Sequence, residues 1–329
     1  MKRILIWVIA SLFLAAGIIH FLLFWPVKWE GAKRVLEVKQ GEGAQVVASH
    51  LKEAGIIRSA KAFRWLARLS KADKKIKVGL YSFSSGTALD QALKFMASPK
   101  AGVIILTVPE GATIKKIAGL ARNSLGVDSI AFVALCRNRA FAHSLGVFAS
   151  SMEGYLFPSS YEFYWGAPAR EVIEKMYGGF KNALNEVIDS TINPDTLNVA
   201  KIVTMASLIE AETGVDSERV LVSQVFHRRL KLGYPLQCDP TVIYALGETK
   251  RALGHDDLKF PSPYNTYLNY GLPPGPICNP GRSALKAALN PASTKYLYFV
   301  ADGDGGHIFS ETLDQHNRVI YRMKQENRP

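Results

Sequence analysis

Glu210 and Glu212 close an apolar stretch, KIVTMASLIEAETG over residues 201–214, and they are the side chains here best suited to acid–base chemistry. On a helical wheel Ile202, Met205, Ala206, Ile209 and Thr213 share one stripe, which predicts a largely buried helix. Carboxylates are rarely buried without partners, and apolar surroundings raise their pKa. A general acid working near neutral pH needs that shift. Measured from Ile202, Glu210 lies at about 80° and Glu212 at about 280°, so they flank the stripe on opposite sides, and geometry leaves the choice between them open. Gly214 offers a stop, and Asp216 or Ser217 offers a cap for a second helix containing Glu218. A polar loop is expected over Gly233–Tyr244, where Gln237, Asp239, Thr241 and Tyr244 can all hydrogen-bond a polar ligand.

Other segments must hold these groups in place. Upstream, residues 153–166 read EGYLFPSSYEFYWG, six aromatic rings in fourteen residues. An amphipathic helix over Ala169–Asp189 follows, and Asn193–Thr196 turns the chain into the acid-bearing helix. Beyond Tyr244, Pro261, Pro263, Pro273, Pro274, Pro276 and Pro280 restrict the backbone while Gly271, Gly275 and Gly281 permit sharp turns. That pattern describes an ordered wall, with Tyr264, Asn265 and Tyr267 as its ligand contacts. A short helix over Ser283–Leu289, a hairpin of Tyr296–Val300 with His307–Phe309, and a basic helix from His316 complete the chain. His307 admits a catalytic or a structural reading beside its Gly-rich turn.

The N-terminus opens with Lys2 and Arg3, and Ile4–Trp25 is almost wholly apolar, interrupted only by His20. As a helix this run spans about 33 Å, enough for a bilayer core. It exceeds the usual core of a signal peptide and lacks a small-x-small cleavage site, so a retained single-pass anchor through residues 4–25 is expected. With 40 Lys plus Arg against 28 Asp plus Glu, the net charge of +12 favours anionic partners. The three cysteines, Cys136, Cys238 and Cys278, form no CxxC pair and the seven histidines no HExxH spacing, so no metal or other cofactor is expected. A Cys238–Cys278 bridge stays open on sequence grounds.

After the anchor, Val35–Val38 and Gly79–Phe83 read as strands around helices at Ala44–Ala54 and Ala60–Leu69, with a third helix at Ala88–Met96. A fainter echo follows: a strand at Val103–Val108, then helices at Thr113–Asn123 and Ser129–Leu135. The expected division is 1–30 for the tip and anchor, 31–100 for a first small domain, 101–150 for a second subdomain or bridge, and 151–329 for the part carrying the glutamates.

The block TMASLIEAETGVDSERVLVSQVFHRRL, then LQCDPTVIY, YNTY, GLPPGPICNPG and YLYFVADGDGGHIFSETLDQHN, occur in an order that resembles the endolytic murein transglycosylase, or YceG-like, family over most of residues 150–329. The resemblance implies an α+β chain: a transmembrane helix, a LysM-like α/β domain at 31–100, and a mainly helical catalytic domain with a lysozyme-like acid-bearing helix and a β-hairpin. It further implies a lyase that cleaves the MurNAc–GlcNAc bond of nascent peptidoglycan strands near the membrane, leaving 1,6-anhydroMurNAc ends and ending glycan polymerisation. Placement in the cell (inner) membrane, with the catalytic domain periplasmic or extracytoplasmic, excludes nucleic acid as a partner. The family's acid sits at the second glutamate of EAET, which selects Glu212. Glu218, Gln237, Asp239, Thr241, Tyr244 and Asn265 then become substrate contacts, with Tyr155 and Tyr161 as flat platforms for pyranose rings. Two alternatives remain. A muramidase would use a second carboxylate, and a membrane-anchored scaffold would bind glycan and recruit cell-wall synthases without cutting.

Overall fold

The computed structural model describes residues 2–31, 33–98, 101–188, 197–247 and 253–326. It is a mixed helix and sheet structure with an apolar N-terminal helix, and it divides into two compact units. The first comprises Met1–Ile105 with Ser124–Gly126 and Glu162–Ala167, the second Leu106–Asn123, Val127–Tyr161 and Pro168–Pro329.

In the first unit α1 (Lys2–Phe24) precedes β1 (Arg34–Val38), α2 (Ala44–Glu53), α3 (Ala60–Leu69), β2 (Gly79–Phe83) and α4 (Leu89–Met96). Arg3–Phe24 of α1 is long and apolar enough to cross a membrane, and none of it is buried across its most apolar window. β1 and β2 pair antiparallel, with Leu36 opposite Tyr81 and Val38 opposite Gly79. Alternation along both strands sends Leu36, Val38, Tyr81 and Phe83 into one core with Val47, Leu51, Phe63 and Met96. Leu23, from the last turn of α1, is buried in the same core.

The strands β3 (Val103–Thr107) and β4 (Ser160–Tyr164) pair with each other across more than fifty residues of chain. Between them lie α5 (Ile114–Leu125), α6 (Ser129–Cys136) and α7 (Arg139–Ser144). The sequence reading lacks α7, a six-residue helix too short for periodicity to reveal, although Asn138 caps it by accepting from Phe141 N at 3.0 Å.

The rest of the second unit is built around α9 (Val199–Glu212), which packs chiefly on α12 (Arg282–Leu289) and also on α10 (Asp216–Leu232) and α11 (Asp239–Leu246). The long helix α8 (Ala169–Val187) lies against α12. The hairpin β5 (Tyr298–Ala301) and β6 (His307–Ser310) is covered by α13 (Leu313–Glu326). The end of the α8 helix expected at Asp189, and the turn at Asn193–Thr196, lie outside the described residues.

Three readings need correction. Rather than one apolar stripe, α9 is buried all round from Val203 to Ile209, because neighbours surround it and the small Ala206 and Ser207 admit close approach. The expected loop over Gly233–Tyr244 is helical from Asp239 onward: Pro240, in the first turn, lacks an N–H that the helix would leave unused there anyway. Neither Asp216 nor Ser217 caps α10, whose N-cap is Val215. The Thr213 hydroxyl accepts from Val215 N at 3.0 Å instead, and Asp216 turns to Arg219.

Candidate functional site

The last turn of α9 presents its two glutamates to different neighbours. Glu210 accepts from Gly281 N at 2.8 Å and pairs with Arg219 at 3.1 Å, both side chains nearly buried at 6% and 5% exposure. Burial pushes its pKa upward against those two partners. Glu212 accepts a hydrogen bond from the Cys238 thiol at 3.3 Å. Among the described residues no ion pair reaches it. Burial, reinforced by the Asp239 charge, raises its pKa to about 7, while the thiol, His307 and Arg229 act to lower it.

Glu218 is differently placed. It accepts from His307 N and from His307 Nδ1, each at 2.8 Å, and from the Thr213 hydroxyl at 3.2 Å. Burial acts upward, but the His307 contacts outweigh it, so the pKa falls below the ordinary carboxylate value. Because Thr213 follows Glu212 directly, Glu218 ties the hairpin residue His307 to the turn carrying Glu212. Arg229 bonds the carbonyls of Leu236 at 2.7 Å and Leu297 at 2.8 Å, joining the approach to Cys238 with the hairpin.

The remaining expected contacts divide. Gln237 and Asp239 are exposed on either side of Cys238. Gln237 adopts a left-handed φ of 49°, and Asp239 accepts a hydrogen bond from the Tyr267 hydroxyl. Thr241 and Asn265 are fully buried. Thr241 Oγ1 bonds Cys238 O at 2.7 Å and shares a 2.9 Å contact with Thr266 Oγ1, which itself accepts from Cys238 N at 3.0 Å. Asn265 donates to the carbonyls of Leu258 and Phe260, both at 2.9 Å. Thr241 therefore shapes the backbone at Cys238, and Asn265 that of its own loop, rather than offering free polar atoms. Tyr244 lies tilted against Tyr264, ring centroids 5.0 Å apart, and donates to Glu153 at 3.5 Å. Tyr155 and Tyr161 are core residues, unlike the platforms expected of them. Tyr155 packs edge-on to Phe180, and the Tyr161 hydroxyl donates to Phe157 O at 2.7 Å. Both rings lost their water to the packing of α8, which an aromatic-rich sequence does not reveal.

Two residues escaped the sequence reading. Cys238, on sequence grounds only a disulfide candidate, is like Cys278 a buried free thiol, and Cys278 donates to Ser207 O at 3.3 Å. Glu153 opens the aromatic stretch but is itself buried, accepting from Ile114 N and Asn279 Nδ2 at 3.0 Å each. Burial raises its pKa to about 7 as well, with both oxygens already engaged. Next to it Gly154 has φ of 87°, and a Cβ there would sit 2.6 Å from Pro276 and 2.7 Å from Val203. That close approach seats the EGY segment against α9, and the glycine was its sole sequence signal. An open cavity of about 570 Å³ lined by Asn198, Lys201, Thr204 and Leu230 lies at the opposite end of α9 and includes none of these carboxylates.

The arrangement at the end of α9 is one protonatable carboxyl with no counter-ion among the described residues, beside two carboxylates held by cationic or imidazole partners. The chain belongs to the YceG-like family, whose model matches residues 36–322. It is 35% identical over 310 residues to the endolytic murein transglycosylase of Bacillus subtilis, covering 89% of this chain and 86% of that protein. The protein of the same name from Streptococcus pneumoniae is 30% identical over 317 residues, covering 86% of this chain and 57% of its own length. The crystal structure of a yceG-like protein from Listeria monocytogenes matches with a TM-score of 0.61 at 30% identity, over 87% of this chain and 98% of that one.

Proposed function

We propose that the protein is an endolytic murein transglycosylase, a lyase that cuts peptidoglycan glycan strands with Glu212 as its acid–base group. The relatives' names support the activity. The observation carrying the residue assignment is the contrast along the segment 210–218: Glu210 is ion-paired, Glu218 is held by His307, and Glu212 combines a pKa of about 7 with no ion pair among the described residues.

In this reading protonated Glu212 gives its proton to the glycosidic oxygen between MurNAc and GlcNAc as the muramic C1 becomes oxocarbenium-like. The carboxylate so formed takes the proton of the muramic C6 hydroxyl as that oxygen attacks C1. The C1–O bond to GlcNAc breaks, a C1–O6 bond forms, and Glu212 ends protonated with no water consumed. Gln237 and Asp239, exposed beside Cys238, orient the sugar, and Glu218 sets His307 against the same turn. The strand–helix–helix–strand module of β1, α2, α3 and β2 serves as the LysM-like glycan-binding domain. The α1 helix anchors the chain in the cytoplasmic membrane with both units outside the cytoplasm.

Purified glycan strands test the assignment. Glu212→Gln is expected to lower cleavage by about 10²–10⁴-fold, the usual contribution of acid–base catalysis, while Glu210→Gln retains substantial activity. Wild-type cleavage by Glu212→Gln together with a dead Glu210→Gln would refute it. Hydrolysis is the second reading, favoured by Asp239, whose charge acts on Glu212. Mass spectrometry in heavy-oxygen water separates the two: anhydro ends support the transglycosylase, and labelled reducing ends support a muramidase.

A further inference from the structure

One face of α3 is unusual for a surface helix. Ser59 caps it, and Phe63 and Ala67 fill the core. The opposite face carries Lys61, Arg64, Trp65, Arg68 and Leu69, at spacings i, i+3, i+4, i+7 and i+8, all of them exposed. Trp65 is 53% and Leu69 66% exposed, set among three cations and no acid. The following turn adds Lys71, Lys74, Lys75 and Lys77 against Asp73 alone. Residues 61–77 thus hold seven of the chain's 40 cationic residues and one of its 28 acids.

The anchor fixes where this face lies. α1 packs on α3 and α4, and Leu23 is part of their core. The Arg58 guanidinium sits 4.9 Å over the Phe21 ring, and its Nη2 donates to Pro26 O at 3.1 Å. Beyond the helix, Gly86 N donates to Val27 O at 3.1 Å and Trp29 N to Ser85 Oγ at 2.8 Å. Arg58 immediately precedes the N-cap of α3. The start of α3 is therefore held at the last turn of α1, where at about 1.5 Å per residue an embedded helix passes from hydrocarbon to headgroups.

We propose that the Lys61–Leu69 face of α3, with the Lys71–Lys77 turn, lies in the headgroup layer of the membrane spanned by α1 and binds its anionic lipids. The inference rests on reading α1 as membrane-spanning. Trp65 has the amphipathic ring that collects at this depth, Leu69 enters the acyl boundary, and the Lys and Arg side chains extend to lipid phosphates. Juxtamembrane cations are attracted to anionic lipid surfaces within about a Debye length. The bilayer is thus the occupant that explains large apolar and cationic side chains on one exposed face.

The test uses the full chain in phosphatidylcholine vesicles with and without phosphatidylglycerol. Nitroxides are placed one at a time at Leu69→Cys, at Leu12→Cys in α1, and at the exposed α2 position Glu53→Cys, the three native thiols being buried. Accessibility to oxygen is compared with accessibility to a water-soluble nickel chelate. In phosphatidylglycerol vesicles the residue 69 probe is expected to shift from the water-like value of residue 53 toward the lipid value of residue 12. Replacing Lys61, Arg64 and Arg68 together with Gln is expected to reverse that shift. A lipid-like residue 12 beside a water-like residue 69 overturns the proposal while leaving the anchor intact, and so does spin–spin broadening at residue 69, which would mean a second copy covers the face. A shift that survives the triple replacement overturns the anionic-lipid part. A water-like residue 12 overturns the anchor reading and the proposal with it.

Discussion

Glu210, Glu212 and Glu218 show how a few ångströms of packing separate identical side chains. One is matched by Arg219, one by His307, and among the described residues Glu212 receives only a thiol hydrogen bond. A thiol is a weak donor, so it holds the carboxyl in place while leaving its pKa near 7. In the proposed mechanism Glu212 acts first as an acid, so cleavage should be greatest below about pH 7 and fall above it as the resting carboxyl loses its proton. The Cys238 hydrogen bond favours the charged form and lowers the pKa. Cys238→Ala should therefore move the alkaline limb of kcat/KM upward by roughly half a unit to one unit, the equivalent of a hydrogen bond of about 0.5–1.5 kcal/mol. Cys238→Ser, which keeps a donor, should leave the limb where it is. A limb that stays put or moves down in the Ala variant removes Cys238 from this role.

At the scale of elements, the corner between α9 and α10 is braced by a buried ion pair. Arg219, from the first turns of α10, reaches back to Glu210 on the last turn of α9, while Asp216 bonds its Nε at 2.9 Å. Gly281 N closes the other side of Glu210, so α12 is tied to the same corner. Removing one member of a buried pair leaves an uncompensated charge. Arg219→Ala is expected to cost about 3–5 kcal/mol in urea unfolding near neutral pH. The folded-state pKa of Glu210 is already raised and rises further without Arg219, so that loss should shrink as the pH drops and the carboxyl takes up a proton. A cost under about 1 kcal/mol, or one indifferent to pH, would mean the pair is not what braces the corner.

Across the whole molecule, one chain carries a helix long and apolar enough to cross a membrane, a small α/β module beside it, and a separate helical unit bearing the carboxylates. Tethering limits which bonds an enzyme meets, since strands close to the bilayer are reached within their length rather than from a free end. Cleavage of membrane-attached nascent strands by the reconstituted full chain should therefore release internal fragments before disaccharides and leave remnants of limited length. Disaccharides as the first product, followed over time by mass spectrometry, would contradict an endolytic mode.

Local pattern determined much of this protein from its sequence alone. The apolar run of α1, the strand–helix–helix–strand order of the first unit, the acid-bearing helix ending at Glu212 and the C-terminal hairpin all follow from periodicities of two or 3.6 residues and from Gly and Pro punctuation. The choice of Glu212 over Glu210 was different, because the wheel places both beside the apolar stripe and only the family motif favoured one. Tertiary structure decided what each side chain meets. It set Arg219 against Glu210 and a thiol against Glu212, placed Tyr155 and Tyr161 in the core, and turned Asp239–Leu246 into a helix. It also paired β3 with β4 and buried Glu153 under Asn279, 126 residues away along the chain. Burial and pKa depend on neighbours remote in sequence, and a one-dimensional pattern carries the direction of a side chain but not the identity of what it faces.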